Sequence, residues 1–117
     1  MNVSRGDVVV VNLGNDSNCS VQNGIRPCVV VSNNRANQHS PVIQVAPITS
    51  RDKTKLPTHV IVGVEVGLKQ TSVIMAEQSM LVSKSDIISK SGEVKADSLE
   101  KLNLALAIQF GLIDKFN

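Results

Sequence analysis

Short runs of β-branched residues recur along this chain, each cut off by turn-forming residues before it could become anything longer than a strand. Val8-Val-Val-Val11 is one, Cys28-Val-Val-Val31 another, and Val60-Ile-Val62 and Ser72-Val-Ile74 follow. Residues branched at Cβ fit a pleated surface better than a helix. Strands are therefore predicted at residues 7–13, 26–32, 42–46, 58–62, 71–75 and 77–82. Between them stand Gly14-Asn-Asp-Ser-Asn18, Ser32-Asn-Asn34, Ser40-Pro41, Gly63 and Gly67, which punctuate for steric or hydrogen-bonding reasons. Short strands at this spacing indicate a small antiparallel barrel or sandwich.

The period changes only near the end. From Asp97 the apolar residues Leu99, Leu102, Leu106 and Ile113, flanked by Leu104, Ala105, Ile108, Phe110 and Leu112, cover a broad helical face. Asp97 reads as the N-cap, with Glu100 three residues on as its capping-box partner. Gly111 falls inside the pattern, which suggests a close-packed neighbour. A shorter helical turn is predicted near Lys84 to Ile88. No repeat, linker or low-complexity segment interrupts the 117 residues, so the reading is one domain, residues 1–117.

Composition narrows the function classes. With 42% apolar and 19% charged residues the chain has the makings of a core and not of a disordered tail. No apolar stretch is long enough to span a bilayer and the N-terminus has no secretory signal, so a cytoplasmic protein with no membrane partner is expected. A net charge of +2 neither demands nor excludes a polyanion. Trp and Tyr are absent and both phenylalanines lie near the C-terminus, which removes the aromatic platform common in single-strand binders. Cys19 and Cys28 form no CxxC pair and read as free thiols. His39, His59 and the cysteines are scattered, so no metal site and no cofactor are expected.

Arg26 stands out because a buried strand has no use for its charge. Gly24 permits a tight turn before it and Pro27 biases it toward extended geometry, so the guanidinium is presented from a constrained strand start. Its planar fork suits a phosphate; the alternative is a solvated loop arginine. Thr49 and Ser50 close the third strand, either as donors to an anion or as a local turn. Arg51 to Lys55 is a basic loop, His59 can pass a proton near neutral pH, and Glu77 and Gln78 can hydrogen-bond a base edge.

In order along the chain, Arg5-Gly-Asp-Val8, Gly24-Ile-Arg-Pro-Cys-Val-Val-Val31, Pro47-Ile-Thr-Ser50, Lys55-Leu-Pro-Thr-His-Val60 and Ser72-Val-Ile-Met-Ala-Glu-Gln78, followed by the C-terminal helix, resemble the MazF/PemK family of toxin endoribonucleases. The resemblance runs from about Val3 to Asp114. It implies a mainly β fold with α, a small SH3-like antiparallel barrel with a C-terminal helix of the MazF/PemK/CcdB kind, acting as a homodimer. It also implies metal-independent, sequence-specific cleavage of single-stranded RNA by 2′-OH attack, leaving a 2′,3′-cyclic phosphate and a 5′-OH.

By the same resemblance Arg26 and Thr49 are the catalytic pair, and His59 is a candidate proton shuttle. RNA contacts fall on Gln22, Asn23, Leu56, Pro57, Thr58, Glu77 and Gln78, joined by Ser50, Arg51 and Lys53 at the basic loop. A MazE-like antitoxin with an acidic flexible tail is the implied partner. Some relatives carry an aromatic where this chain has Leu13-Gly-Asn-Asp-Ser-Asn-Cys19, so base stacking is missing there. Two other readings keep the fold: a toxin that binds DNA gyrase through the helix end, Gly111 to Asn117, and an inactive scaffold.

Overall fold

The computed structural model describes residues 1–14, 23–51 and 55–114. Seven strands and two helices follow in the order β1 (Asp7–Asn12), β2 (Ile25–Val30), α1 (Asn34–His39), β3 (Val42–Thr49), β4 (His59–Val62), β5 (Ser72–Met75), β6 (Met80–Ser83), β7 (Ile87–Glu93) and α2 (Ala96–Gln109). Single 3-10 turns occupy Val64–Val66, Ala76–Gln78 and Lys84–Asp86. All pairings given are antiparallel, in the order β4-β5-β3-β2-β1-β7, with β6 set beside β3 off this path. The two ends of the path, β4 and β7, are not paired with each other. The ladder therefore stays open, where the strand spacing suggests a small barrel or sandwich and the resemblance an SH3-like barrel.

Both faces of the sheet are covered, which explains why β1 and β2 read as unbroken apolar runs. Val8, Val29, Ala46, Ile48, Val60, Val62 and Ile74 pack on one face with Leu102 and Ala105 of α2. Val9, Val11, Cys28, Val30, Ile43, Val45 and Val82 pack on the other. Along β1, β2 and β3 neighbours alternate between the two cores, as the period of two requires. Cys28 is a free thiol in the second core, and burial pushes its pKa up to about 12.

Several details depart from the sequence reading, among them the predicted strand at 77–82, which begins only at Met80 after the turn at Ala76–Gln78. The third strand continues through Pro47 to Thr49. Residues 87–93, which carry no alternating apolar pattern, form β7 along the edge of β1, with two register shifts between them. Asn34–His39, where a turn is predicted, is a helix capped by the Asn33 side chain, which accepts from Ala36 N–H at 2.9 Å. At α2 the cap residue is Lys95, with no side-chain cap bond, and Asp97 sits inside the first turn, where its charge suits the helix dipole.

Gly111 ends α2 and is not packed within it. Its φ is +72° and nothing lies within 4 Å of where its Cβ would be. Gly111 N–H donates to Ile108 O and Leu112 N–H to Ala107 O, a Schellman closure in which a left-handed residue satisfies the last carbonyls.

Candidate active site

β3 changes partner along its length. Residues 45–47 pair with β2, the last rung being Cys28 opposite Pro47, while Ile48 and Thr49 pair with Ile74 and Val73 of β5. Proline gives a ladder no N–H, and Pro27 and Pro47 stand on neighbouring strands where the β2–β3 pairing stops. Continuing that register by one two-residue step places Arg26 across from Thr49, on one face of the sheet. Here the strands part, and a cleft of about 300 Å³ opens between them.

Arg26, Pro27, Thr49 and Ser50 line the cleft on the strand side, with Val10 and Ile48 at its base and Gly67, Leu68, Lys69, Gln70, Ser72 and Ser91 completing it. Arg26 Nε donates to Asn23 O at 3.0 Å, so the turn grips the inner edge of the guanidinium and aims its terminal nitrogens. Gly24, with φ +76°, makes that turn possible. Thr49 is only 6% exposed, and its Oγ1 accepts from Arg51 N–H at 3.2 Å. The local-turn reading of Thr49 is thus correct as far as the acceptor goes, and the hydroxyl proton is left to point elsewhere. Among the described residues no carboxylate lines the cleft, and the ionisable groups that do are Arg26 and Lys69.

The far wall is set by two glycines. A Cβ on Gly67 would lie 2.3 Å from Ser91 O, and one on Gly92 would lie 2.1 Å from Val66 O. Only glycine lets the turn at Val64–Val66 and strand β7 approach so closely. Ser72 Oγ then donates to Gln70 O at 3.0 Å, fixing the other end of the 67–70 segment.

His59, Thr58 and Glu77 form a second cluster. Glu77 Oε2 lies 2.9 Å from His59 Nε2, and Glu77 Oε1 accepts from Thr58 Oγ1 at 2.9 Å. The His59 side chain is only 5% exposed. His59 does not line the cleft. It nevertheless belongs to the same sheet face: Thr49, Val73 and Ile61 stand in one row across β3, β5 and β4, and His59 opposite Met75 lies one step along. Leu56 and Pro57 are exposed just before β4, and Gln78 is half-buried beside Glu77.

Of the residues singled out in the sequence, Arg26, Thr49 and Ser50 come together in the cleft, with Asn23 behind Arg26. Thr58, His59 and Glu77 come together at the second cluster, and Arg51 is exposed at the rim of the first. Gln22 and Lys53 lie outside the described residues. Ser72 opens a block quoted for the resemblance and comes to the cleft on β5, whereas Lys69, Gln70 and Ser91 were not singled out and reach it through the fold-back of Gly67 onto β7. The Arg5-Gly-Asp-Val8 block is structural instead: Arg5 Nε donates to Val31 O at 2.9 Å, and buried Asp7 pairs with Lys90 at 3.1 Å.

Among the described residues, two cations and no carboxylate line this cleft at the strand fork of a small β-sheet protein, a set of groups suited to an anion. The chain belongs to the PemK-like, MazF-like toxins of type II toxin-antitoxin systems, whose sequence model matches residues 4–110. It is 37% identical over 116 residues to Endoribonuclease EndoA of Bacillus subtilis (strain 168), covering 97% of this chain and 99% of that protein. Among solved structures it resembles an endoribonuclease in complex with its cognate antitoxin from Mycobacterial species, with 29% identity, 95% and 97% of the two chains covered and a TM-score of 0.81. MazF (Form-I) from Deinococcus radiodurans gives 25% identity, 95% and 98% coverage and the same TM-score of 0.81. No helix among the described residues is long and apolar enough to cross a membrane.

Proposed function

We propose that this chain is the toxin of a type II toxin-antitoxin pair and that it cleaves single-stranded RNA, without a metal ion, at the cleft between β2 and β3. The observation that carries the reading is that Arg26, held by the Asn23 turn, and Thr49 line one cleft in which no carboxylate stands among the described residues. In such a reaction the 2′-OH attacks the adjacent phosphorus, the bond to the 5′-oxygen breaks, and a 2′,3′-cyclic phosphate and a 5′-OH remain. The phosphorane in between carries extra negative charge. Arg26 meets that charge with its two terminal nitrogens and Thr49 adds its hydroxyl proton, a preorganised set of donors. A guanidinium holds its proton too firmly to act as a general base, so Arg26 serves as clamp and as proton donor to the leaving oxygen.

The 2′-OH proton passes to solvent, since His59 is outside the cleft and engaged with Glu77. The RNA continues from the cleft over the row Thr49, Val73, Ile61 toward Leu56, Pro57, Thr58, Glu77 and Gln78, where unstacked bases meet polar groups. Asn23, Ser50 and Arg51, with Gln22 and Lys53, flank the cleft end of that path. The partner is an antitoxin with an acidic, flexible segment that occupies the same basic cleft, in keeping with the antitoxin complex of the Mycobacterial relative. The working unit is a homodimer.

The test incubates the protein, freed of antitoxin, and its Arg26→Ala variant with a long unstructured RNA in excess EDTA and maps the new ends. Cuts at a recurring short motif with 5′-OH ends, lost in the variant, are expected. Absence of cleavage by folded protein would overturn the reading and turn attention to the exposed helix end at Phe110, Leu112 and Ile113.

A further inference from the structure

We propose that Lys69 is the second phosphate anchor of this cleft, holding the backbone phosphate next to the one that Arg26 and Thr49 hold at the scissile bond. The inference rests on the nuclease reading above and deepens it. Lys69 lines the cleft on the wall opposite the strand ends and, with Arg26, is one of the two ionisable groups that line it among the described residues. A single cation would hold one phosphate and leave the strand free to pivot. Two cations on opposite walls fix a direction for the backbone.

Charge bookkeeping around the cleft supports this. Asp7 is engaged by Lys90 and Ser4 N–H, Glu93 by Lys95, Glu65 by Gly63 N–H, and Glu77 by His59 and Thr58. Among the described residues Lys69 has no carboxylate of its own. Its position is also not that of a lysine on a loose loop. Gly67 is locked against Ser91, Leu68 packs on the main core, and Gln70 O is held by Ser72, so the backbone on both sides of Lys69 is fixed. The ammonium is exposed and ends a flexible stem, which suits a point contact with a phosphate and not a role in the chemistry.

The distinguishing quantity is salt dependence. Each phosphate neutralised on a single strand contributes about 0.7 to the slope of log K against log salt. The probe is a fluorescently labelled, mixed-sequence 2′-O-methyl RNA, which binds but has no 2′-OH to react, titrated by anisotropy at several salt concentrations. Lys69→Ala is expected to weaken binding at low salt by roughly twofold to fivefold, the scale of an exposed charge contact. Its slope should fall by about 0.7, and Lys69→Arg should restore both. With cleavable RNA, Lys69→Ala should raise KM and leave kcat in place, whereas Arg26→Ala loses kcat.

Unchanged slope and affinity in Lys69→Ala, with wild type binding and cleaving, would overturn the Lys69 assignment alone. A loss of kcat with KM unchanged would also overturn it, by moving Lys69 to the reacting phosphate. A wild type that neither binds nor cleaves would overturn the nuclease reading along with it.

Discussion

The close approach of the Val64–Val66 turn to β7 should be the least forgiving point near the cleft, and Gly92→Ala measures it. The added Cβ would stand 2.1 Å from Val66 O and 2.7 Å from Val66 C. Both are backbone atoms, so no side chain can rotate away, and the two segments must separate by roughly 1 Å, an overpacking that typically costs about 1–3 kcal/mol. With no rotamer relief the upper end applies, and at about 4 °C per kcal/mol for a chain of this size the melting temperature should fall by about 8–12 °C. Gly111→Ala is the control. Its φ of +72° carries a left-handed penalty of about 1–2 kcal/mol, but the space around it is open. At the same conversion it should lose about 4–8 °C, less than Gly92→Ala. The assay is thermal unfolding by far-ultraviolet circular dichroism at one protein concentration, because an oligomer's melting point depends on it. A Gly92→Ala protein that melts within about 2 °C of wild type, or above Gly111→Ala, would refute the packing argument. If it stays folded at 25 °C, its KM for RNA should rise, since the displaced wall carries Lys69.

Other outcomes follow from the same geometry. Thr49→Val keeps the shape and removes the hydroxyl, so kcat for RNA cleavage should fall by roughly 10²–10³, while Thr49→Ser should keep most of it; equal rates for Val and Ser would remove Thr49 from the reaction. Arg26→Lys keeps the charge but not the fork, and should be nearly as inactive as Arg26→Ala in the same assay. Glu77→Ala withdraws the acceptor of Thr58 and a partner of His59, and should destabilise by about 1–3 kcal/mol in urea unfolding, with Glu77→Gln milder. The Cys28 thiol, pushed up to about 12 by burial, stays protonated in the fold while the unfolded thiol, at 9.0, ionises. Stability is therefore fully present below pH 9 and lost as pH rises from there toward 12, by on the order of 1 kcal/mol at pH 10. Cys28→Ala should flatten that alkaline slope in denaturant titrations at pH 8 and pH 10, and Cys28 in the native protein, followed by peptide mapping, should resist alkylation at pH 8.

What could be read in the sequence was whatever depends on local pattern. The valine runs of β1 and β2, the broad apolar face of α2 and the constraint that Gly24 and Pro27 place on Arg26 are all local, and the fold uses them, though the residues of α2 that are buried are Leu102, Ala105 and Ile108 while Ile113 is exposed. What could not be read depends on partners distant in the chain. β7 has Ser89, Lys90 and Ser91 where a strand pattern needs apolar residues, and it is a strand because β1 offers it an edge. α1 has no apolar face and is held by polar bonds: the Asn33 cap and buried Asn37, which donates to Ser32 O at 2.9 Å. Pro47 hid the last rungs of β3, because those rungs belong to a different partner strand. Asp97 has the right chemistry for a cap, yet the chain enters the helix at Lys95, where Leu99 can reach the core. At the site, the Arg26–Thr49 pairing followed from motif order, but Lys69 and Ser91 reached the cleft only through the contact of Gly67 with β7.

That contact also orders events during synthesis. Arg26 and Thr49 emerge early, but the wall that faces them is seated on Ser91 and Gly92, and β7 must then find the edge of β1 more than eighty residues back. A chain stopped before β7 would carry every residue of the strand-side cleft and still lack the support that sets its width. For a ribosome-bound nuclease, whose own message is the nearest RNA, activity would switch on late, after nearly the whole chain has been made.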